Sequence, residues 1–195
     1  MFFLTPDWEM TLFTWINQHW RCALFDRVMP LLSETAFLWI LALAAAALVI
    51  FRHRVPATAV LGLCLTIAAS DLTCSVIKES TGRIRPYHSI PGTWYVDSGQ
   101  WVQRPADAPP PRKEGSSYPS AHAANAAAAT FVLFRMVRIK SIWLMPILIG
   151  YSRIYLGKHF PLDVLGGWAI GLAVSCALLP LYPGVWNRLF SRWMR

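Results

Sequence analysis

The stretch WILALAAAALVIF, residues 39–51, carries no charged side chain and decides the fold class. It lies in an apolar segment, residues 30–51, that is long enough to cross a bilayer as a helix, for which about 20 residues are needed. Further apolar segments of similar length follow, at residues 56–77, 119–137, 141–157 and 161–182. The chain is therefore predicted to be an all-α, polytopic membrane protein with about five transmembrane helices.

Composition and charge support the same class. Of the 195 residues, 55% are hydrophobic and 14% are charged, whereas soluble domains average about 25% charged. The formal net charge of +8 is compatible with nucleic-acid or membrane-surface binding, but the basic residues lie between the apolar segments rather than in one patch. We therefore expect a single membrane-embedded domain, residues 1–195, that contacts membrane lipids and has no nucleic-acid partner. The sequence leaves the oligomeric state open.

The segment before the first predicted span, residues 7–28, has a different pattern. Its large apolar side chains recur near helical spacing among polar residues: Trp8, Leu12, Trp15, Ile16 and Trp20. This pattern is typical of an amphipathic helix that lies in the membrane interface, with its tryptophans at headgroup depth. A sixth span is the alternative, and it would have to accommodate Arg21, Asp26 and Arg27.

Basic residues outside the apolar segments set the predicted orientation. They lie between the first and second spans, between the third and fourth, and in the C-terminal tail: Arg52, Arg54, Arg135, Arg138, Lys140, Arg188, Arg192 and Arg195. The positive-inside rule makes this side cytoplasmic. The N-terminal segment and the long loop at about residues 79–118 then face outward. That loop is rich in Pro, Gly and Ser and is expected to be irregular; a mobile lid and a disordered surface connection are both open.

The cysteines predict no covalent framework. The four cysteines are Cys22, Cys64, Cys74 and Cys176, and none forms a Cys-x-x-Cys pair. The last three fall inside apolar segments, where cysteine packs as a small hydrophobic residue. We expect neither disulfides nor a thiolate metal site. Because Asp7 and Glu9 stand where a secretory leader would be basic, we also expect no cleavable signal peptide.

Ionisable and hydroxyl side chains collect at the predicted outer ends of the spans. They follow the second span, open the third, and connect the fourth to the fifth: Lys78 and Arg85; Ser120 and His122; Arg153, His159 and Asp163. Charged groups in spans are costly, so their presence invites a functional explanation. The predicted topology brings all three groups to the outer membrane face.

The chemistry of these groups suits a phosphate. Arginine and lysine bind phosphate oxygens, and a helix that begins at Pro119 and Ser120 offers backbone amides and a dipole to an anion. Two histidines supply a nucleophile and an acid. Asp163 can hold one nitrogen of the His159 ring so that the other points at substrate.

The same residues also have structural interpretations. A basic residue at a span end is commonly an interface anchor, and His122 alone would be a hydrogen-bonded structural residue. Asp71, inside the second span, is expected to make a structural polar contact outside the site, and Gly167 and Gly171 are expected to be helix-packing positions. Anchoring does not explain why basic, hydroxyl and imidazole groups gather at three outer span ends.

Three sequence blocks carry a family resemblance. In the first, a lysine is followed after six residues by Arg-Pro: Lys78, Arg85 and Pro86. The second matches Pro-Ser-Gly-His except for its third residue: Pro119, Ser120, Ala121 and His122. The third is Ser-Arg, five residues, His, three residues and Asp: Ser152, Arg153, His159 and Asp163. In order and spacing, residues 78–163 resemble the type-2 phosphatidic acid phosphatase superfamily of membrane lipid phosphatases.

The resemblance implies a role for each residue. His159 would attack phosphorus and become phosphorylated, Asp163 would orient it, and His122 would protonate the leaving oxygen and later activate water. The phosphoryl oxygens would be bound by the remaining signature residues: Lys78, Arg85, Ser120, Ala121 and Arg153. The family needs no metal or other cofactor. At position 121 alanine replaces the usual glycine, which is harmless if the residue is helical and costly if it needs a positive φ.

The resemblance also implies a substrate class and a location. The small size and outward site are similar to those of bacterial inner-membrane members that act on envelope lipids from the periplasmic side. Candidate substrates are undecaprenyl diphosphate, which we favour by family analogy, phosphatidylglycerophosphate, phosphatidic acid and lipid A phosphates. Transfer of the phosphate to another lipid is an alternative to hydrolysis. A non-catalytic lipid-binding protein is a second alternative, although it would not be expected to retain both His122 and His159.

Overall fold

The computed structural model describes residues 5–53, 57–109 and 116–181 of the chain. Its helices are α1 (Asp7–Thr14), α2 (Ala23–Ser33), α3 (Thr35–His53), α4 (Ala57–Thr81), α5 (Pro86–Ser89), α6 (Ala121–Val137), α7 (Leu144–Tyr155) and α8 (Pro161–Leu178). Single turns of other helix types occur at Trp15–His19, Lys140–Trp143 and Leu179–Leu181. A hairpin of β1 (Trp94–Asp97) and β2 (Gln100–Gln103) interrupts them. The helical fold class is therefore confirmed.

The number of spans stays a prediction. Within the described residues, two helical stretches are long and apolar enough to cross a membrane: Val60–Ser89, which includes most of α4, and Pro161–Leu178, which is α8. Helix α6 is apolar but shorter. Several basic residues that set the expected orientation lie outside the described residues: Arg54, Arg188, Arg192 and Arg195.

The centre of the molecule is a close contact between α6 and α8. A Cβ built on Gly171 would lie 2.1 Å from the carbonyl oxygen of Ala124, and one on Gly167 would lie 2.4 Å from that of Ser120. The facing side of α6 is a run of buried alanines that includes Ala124 and Ala128. Small residues let two helix backbones approach, so the packing role expected for both glycines is confirmed.

The N-terminal segment is broken where a continuous helix was expected. Helix α1 and its following turn end at His19, α2 begins at Ala23, and Pro30 lies inside α2 instead of opening a span. Proline leaves the carbonyl of the residue four positions earlier without its helical partner. That carbonyl, of Asp26, accepts a hydrogen bond from Trp101 Nε1 at 3.1 Å, which explains why the proline is tolerated. The next helix begins at Thr35, and the expected boundary at residue 30 is corrected accordingly.

The outer loop contains more regular structure than its composition predicted. The hairpin turns at Ser98 and Gly99, which both have positive φ, as tight two-residue hairpin turns require. Arg21 lies over the rings of Trp94 and Trp101, 4.9 and 4.1 Å from their centroids, so the hairpin is held against the N-terminal segment. Residues 110–115 of the loop lie outside the described residues.

The α6–α8 contact yields a stability prediction. Gly171→Val should lower the thermal unfolding temperature in detergent by on the order of 5 °C, because the new side chain would overlap the α6 backbone and overpacking costs about 1–3 kcal/mol. Ala173→Val, at an exposed position of the same helix, is the control and should leave the unfolding temperature nearly unchanged. Equal shifts in the two variants would contradict the close contact.

Candidate active site

His159 lies in the short turn between α7 and α8. Gly157 in that turn has a φ of +68°, and a Cβ there would lie 2.6 Å from Thr93 Cγ2 and 2.8 Å from the carbonyl oxygen of Trp94. Only glycine fits such a turn without strain. The backbone N–H of His159 donates to the carbonyl of Arg153 at 3.2 Å. The turn therefore brings the arginine and the histidine of the third sequence block together.

The orientation of the imidazole follows from one hydrogen bond. His159 is only 2% exposed, and its Nδ1 lies 2.7 Å from the carbonyl oxygen of Ser117. A carbonyl only accepts, so Nδ1 carries the hydrogen and donates it. In the neutral ring Nε2 is then the nitrogen with a free lone pair, which is the form that a nucleophile needs.

Asp163, in the first turn of α8, supports this arrangement from behind. Its Oδ2 accepts hydrogen bonds from the Phe160 backbone N–H, at 2.7 Å, and from the Ser117 hydroxyl. The distance from Oδ2 to His159 Nδ1 is 3.7 Å, which is too long for a hydrogen bond. The expected contact between Asp163 and the ring is thus electrostatic, while Ser117 links the two through its carbonyl and its hydroxyl. The sequence motifs did not predict this role for Ser117.

The surroundings of His159 keep its ring neutral. Its pKa is lowered from the ordinary 6.5 to about 4. Burial is the largest cause, and the positive charges of Arg153 and Arg85 act in the same direction, while Asp163 opposes them. At neutral pH the ring is therefore unprotonated and its Nε2 lone pair is free.

Asp163 also belongs to a buried chain of ion pairs that the sequence motifs did not predict. Arg83 pairs through Nη1 with Asp163 Oδ1, at 2.5 Å, and through Nη2 with Glu9 Oε2, at 2.6 Å. Glu9 Oε1 also accepts the backbone N–H of Leu162 at 2.7 Å. One arginine between two carboxylates leaves a net charge of −1 next to the His159 ring. The sequence held one indication of this role for Glu9: it precedes the apolar Phe13 by four residues, a spacing that places both on one face of a helix.

Helix α2 also contacts the site, in addition to the contact that α1 makes through Glu9. Ser33, buried at the end of α2, accepts a hydrogen bond from Nη1 of the buried Arg153. A further cation, Lys158, lies between the arginine and the histidine of the third block. Its pKa is lowered by burial first, and then by the charges of Arg153 and Arg85. Neither Ser33 nor Lys158 was identified from sequence.

The remaining expected residues meet at the same place. His122 is within electrostatic range of Arg153, His159 and Lys78, and Lys78 is within range of Arg85 and Arg153. The Ser120 backbone N–H donates to the carbonyl of Asp163 at 2.9 Å, which fixes the start of α6 against α8. The structure therefore brings together all eight residues expected from the sequence: Lys78, Arg85, Ser120, Ala121, His122, Arg153, His159 and Asp163.

Alanine at position 121 fits the observed backbone. Ala121 is the first residue of α6, and Ser120 caps the helix by accepting the Ala123 N–H at 3.4 Å. Among the described residues, the positive φ values of non-glycine residues occur at Ser98 and Arg138. Ala121 is therefore helical and carries no steric cost relative to glycine.

Residues 5–53, 57–109 and 116–181 contain no group of three or more His, Cys, Asp or Glu side chains that could hold a metal ion. The cysteines, Cys22, Cys64, Cys74 and Cys176, are unpaired thiols. Positive charge at the site comes from arginine and lysine side chains.

Fold and site together define a helical membrane protein in which a neutral, buried imidazole faces a cluster of fixed cations. The family model of the PAP2 superfamily matches residues 59–186. The chain belongs to the PAP2 superfamily.

Named relatives and solved structures agree with this membership. The chain is 26% identical over 173 residues to the undecaprenyl-diphosphatase of Sulfolobus acidocaldarius, a match that covers 86% of this chain and 75% of the relative. The crystal structure of Aquifex aeolicus LpxE superposes with a TM-score of 0.70 at 26% identity, covering 92% of this chain and 99% of that one. A transmembrane PAP2 type phosphatidylglycerolphosphate phosphatase from Bacillus subtilis shares the fold, with a TM-score of 0.60 at 23% identity, over 90% of this chain and 87% of that one. The expected family, its phosphatase activity and the membrane location are confirmed.

The neutral state of His159 can be tested directly. In protein labelled with ¹⁵N-histidine and held in detergent, the ring nitrogens of His159 should keep their neutral chemical shifts as the pH falls through 6.5 and should change only near pH 4. The sign follows from the lowered pKa, because a ring that resists protonation stays neutral further into acid. His159→Gln identifies the signal. A titration midpoint near 6.5 would contradict the burial argument.

The ion-pair chain yields a separate prediction. Glu9→Gln keeps an acceptor for the Leu162 N–H but removes the charge that makes the chain net negative. The negative field behind His159 is then weaker, so phosphatase activity should fall by about tenfold. Asp7→Asn, an exposed acid on the same helix, is the matched control and should have no effect. The measurement is the initial rate of phosphate release from a lipid phosphate, and equal rates in the two variants would refute a role for Glu9.

Proposed function

We propose that this protein hydrolyses a lipid phosphate or diphosphate at the outer membrane face through a phosphohistidine on His159. The observation that carries the proposal is the hydrogen bond from His159 Nδ1 to the Ser117 carbonyl. It fixes the tautomer in which Nε2 is nucleophilic, in a ring surrounded by phosphate-binding cations.

The first half-reaction forms the intermediate. His159 Nε2 attacks phosphorus, and the bond from phosphorus to the lipid oxygen breaks as His122 donates a proton to that oxygen. The attacking ring becomes positively charged, because Nδ1 keeps its hydrogen. Asp163 and the negative ion-pair chain behind it stabilise this charge, while the hydrogen bond to Ser117 strengthens as its donor becomes charged.

The second half-reaction releases phosphate. His122, now unprotonated, takes a proton from water, the water oxygen attacks phosphorus, and the bond to Nε2 breaks. The cations bind the phosphoryl oxygens in both steps: Lys78, Arg85, Arg153 and, from the structure, Lys158. Ser120 and Ala121 contribute the start of α6 with its dipole. Fixed side chains supply the positive charge that a metal ion supplies in other phosphoryl-transfer enzymes.

The substrate is proposed as a class. The predicted orientation places the site on the outer side of a bacterial inner membrane, where the headgroups of envelope lipids are within reach. Undecaprenyl diphosphate, favoured from the sequence, is the substrate in the name of one relative. Phosphatidylglycerophosphate, phosphatidic acid and lipid A phosphates have the same terminal phosphate and remain candidates.

Two histidine variants test the mechanism. His159→Ala should lower phosphate release from a lipid monophosphate by at least about 10⁴-fold in buffer containing EDTA, because the intermediate cannot form. His122→Ala should accumulate an acid-labile phosphoenzyme from p-nitrophenyl phosphate, whose leaving group needs no proton, while its turnover falls by about 10²–10⁴-fold.

His19→Ala, at an exposed position, is the control and should behave as the wild type. Substantial hydrolysis by purified His159→Ala protein would sink the mechanism. Phosphate that appears on a second lipid instead of in solution would assign the transferase activity.

A further inference from the structure

A polar pair lies between two apolar helices, outside the set of residues assigned to the candidate active site. Asn125 Nδ2 on α6 donates a hydrogen bond to Asp71 Oδ1 on α4 at 2.9 Å. Asp71 is exposed at the surface of the bundle, within the apolar stretch Val60–Ser89. A carboxylate at such a position is expensive, and ionisable residues inside spans usually serve transport, catalysis or ligand binding.

The pair lies directly beyond the phosphate site along both helices. Asn125 follows His122 by three residues, which places it about 4.5 Å further along α6 on an adjoining part of the same face. Asp71 precedes Lys78 by seven residues, two helical turns, so both side chains lie on one face of α4. From the outer end of the helices inward, the order is therefore Lys78 with the other cations proposed to bind phosphate, then His122, the proposed proton donor, and then the Asp71–Asn125 pair.

A partly open strip connects these residues. His122, Asn125 and Ala129 are half-buried, whereas the residues between them on α6 are fully buried: Ala123, Ala124, Ala126, Ala127 and Ala128. Their spacing of three and four residues puts the half-buried positions on one stripe of the helix. The leaving part of a lipid whose oxygen is at His122 has this stripe as a path towards the membrane interior.

The free oxygens of the Asp71–Asn125 pair would bind a ligand group that donates a hydrogen bond. Within the described part of the chain, Asn125 Oδ1 is buried without a hydrogen-bond partner, because the amide nitrogen is turned to the carboxylate. An amide oxygen and a carboxylate both accept. An O–H or N–H group would satisfy the pair, whereas a phosphate would meet the negative charge of Asp71.

Building on the proposed function, we propose that Asp71 and Asn125 form a subsite for an O–H or N–H on the carbon adjacent to the phosphoester carbon. The preferred substrates are then lipid monophosphates with a neighbouring hydroxyl or amide, as in phosphorylated sugars and amino alcohols. Prenyl diphosphates fit less well, because their second phosphate would lie towards Asp71. A purely structural contact between α4 and α6 is the competing explanation.

A pair of lipids that differ in one hydroxyl tests the subsite. 1-Acyl-lysophosphatidic acid carries a hydroxyl next to its phosphoester carbon, and the acyl ester of 1,3-propanediol monophosphate with the same chain lacks it. The full-length wild type in detergent micelles should hydrolyse the first with a kcat/KM at least about tenfold higher. Asn125→Ala and Asp71→Asn should reduce this ratio towards one by slowing the hydroxyl-bearing lipid and leaving the deoxy lipid nearly unchanged.

Thr73→Val is the control, because Thr73 Oγ1 bonds the Ala69 carbonyl within its own helix, at 2.7 Å, and the ratio should be unaffected. Thermal unfolding of each variant checks its folding. An equal rate for the two lipids in the wild type, or an equal fall for both lipids in the variants, would overturn the subsite and leave the proposed function standing. No phosphate release from either lipid or from farnesyl diphosphate by the wild type would overturn both.

Discussion

The carboxylate of Asp163 is the group on which the site depends, because three separate parts of the chain converge on it. It caps α8 through the Phe160 N–H, pairs with Arg83, and accepts the hydroxyl of Ser117. Ser117 in turn fixes the ring of His159. A fully buried carboxylate is stable only when its oxygens are satisfied, so this residue forces the outer loop, the end of α4 and the α7–α8 turn into one arrangement.

The same requirement explains why the N-terminal segment is part of the site. Arg83 alone would neutralise Asp163 and weaken the negative field at the imidazole. Glu9 balances Arg83, so that the buried group keeps a net charge of −1. A buried ion pair by itself is weak evidence for stability, since desolvation offsets much of the attraction. Its role here is electrostatic: a negative group behind the ring and cations in front of it suit the function proposed for His159, in which the ring becomes positive while it binds a phosphoryl group.

The spacing of residues within short sequence blocks predicted much of the site. The site residues that it did not predict act through contacts with distant parts of the chain. The three blocks that contain Lys78, His122 and His159 are short, so their residue spacing can be recognised in the sequence alone. Glu9 and Ser33 act through partners 74 and 120 residues away, and no periodicity encodes such contacts. The hairpin was missed for a different reason: Ser98 and Gly99 are a recognisable turn, but the surrounding Pro, Gly and Ser content favoured an irregular loop.

Helix packing and catalytic geometry share one contact in this protein. The N–H of Ser120 donates to the carbonyl of Asp163, and the Ser120 carbonyl lies where a Cβ on Gly167 would reach within 2.4 Å. The start of α6, where phosphate is proposed to bind, is thus fixed directly to the first turn of α8, which contains Asp163. Any side chain at Gly167 would separate the two helices and move the start of α6 away from His159, the proposed nucleophile. Displacements of about 1 Å are enough to cost about 10²-fold in rate, so the small residues between these helices matter for catalysis as much as for folding.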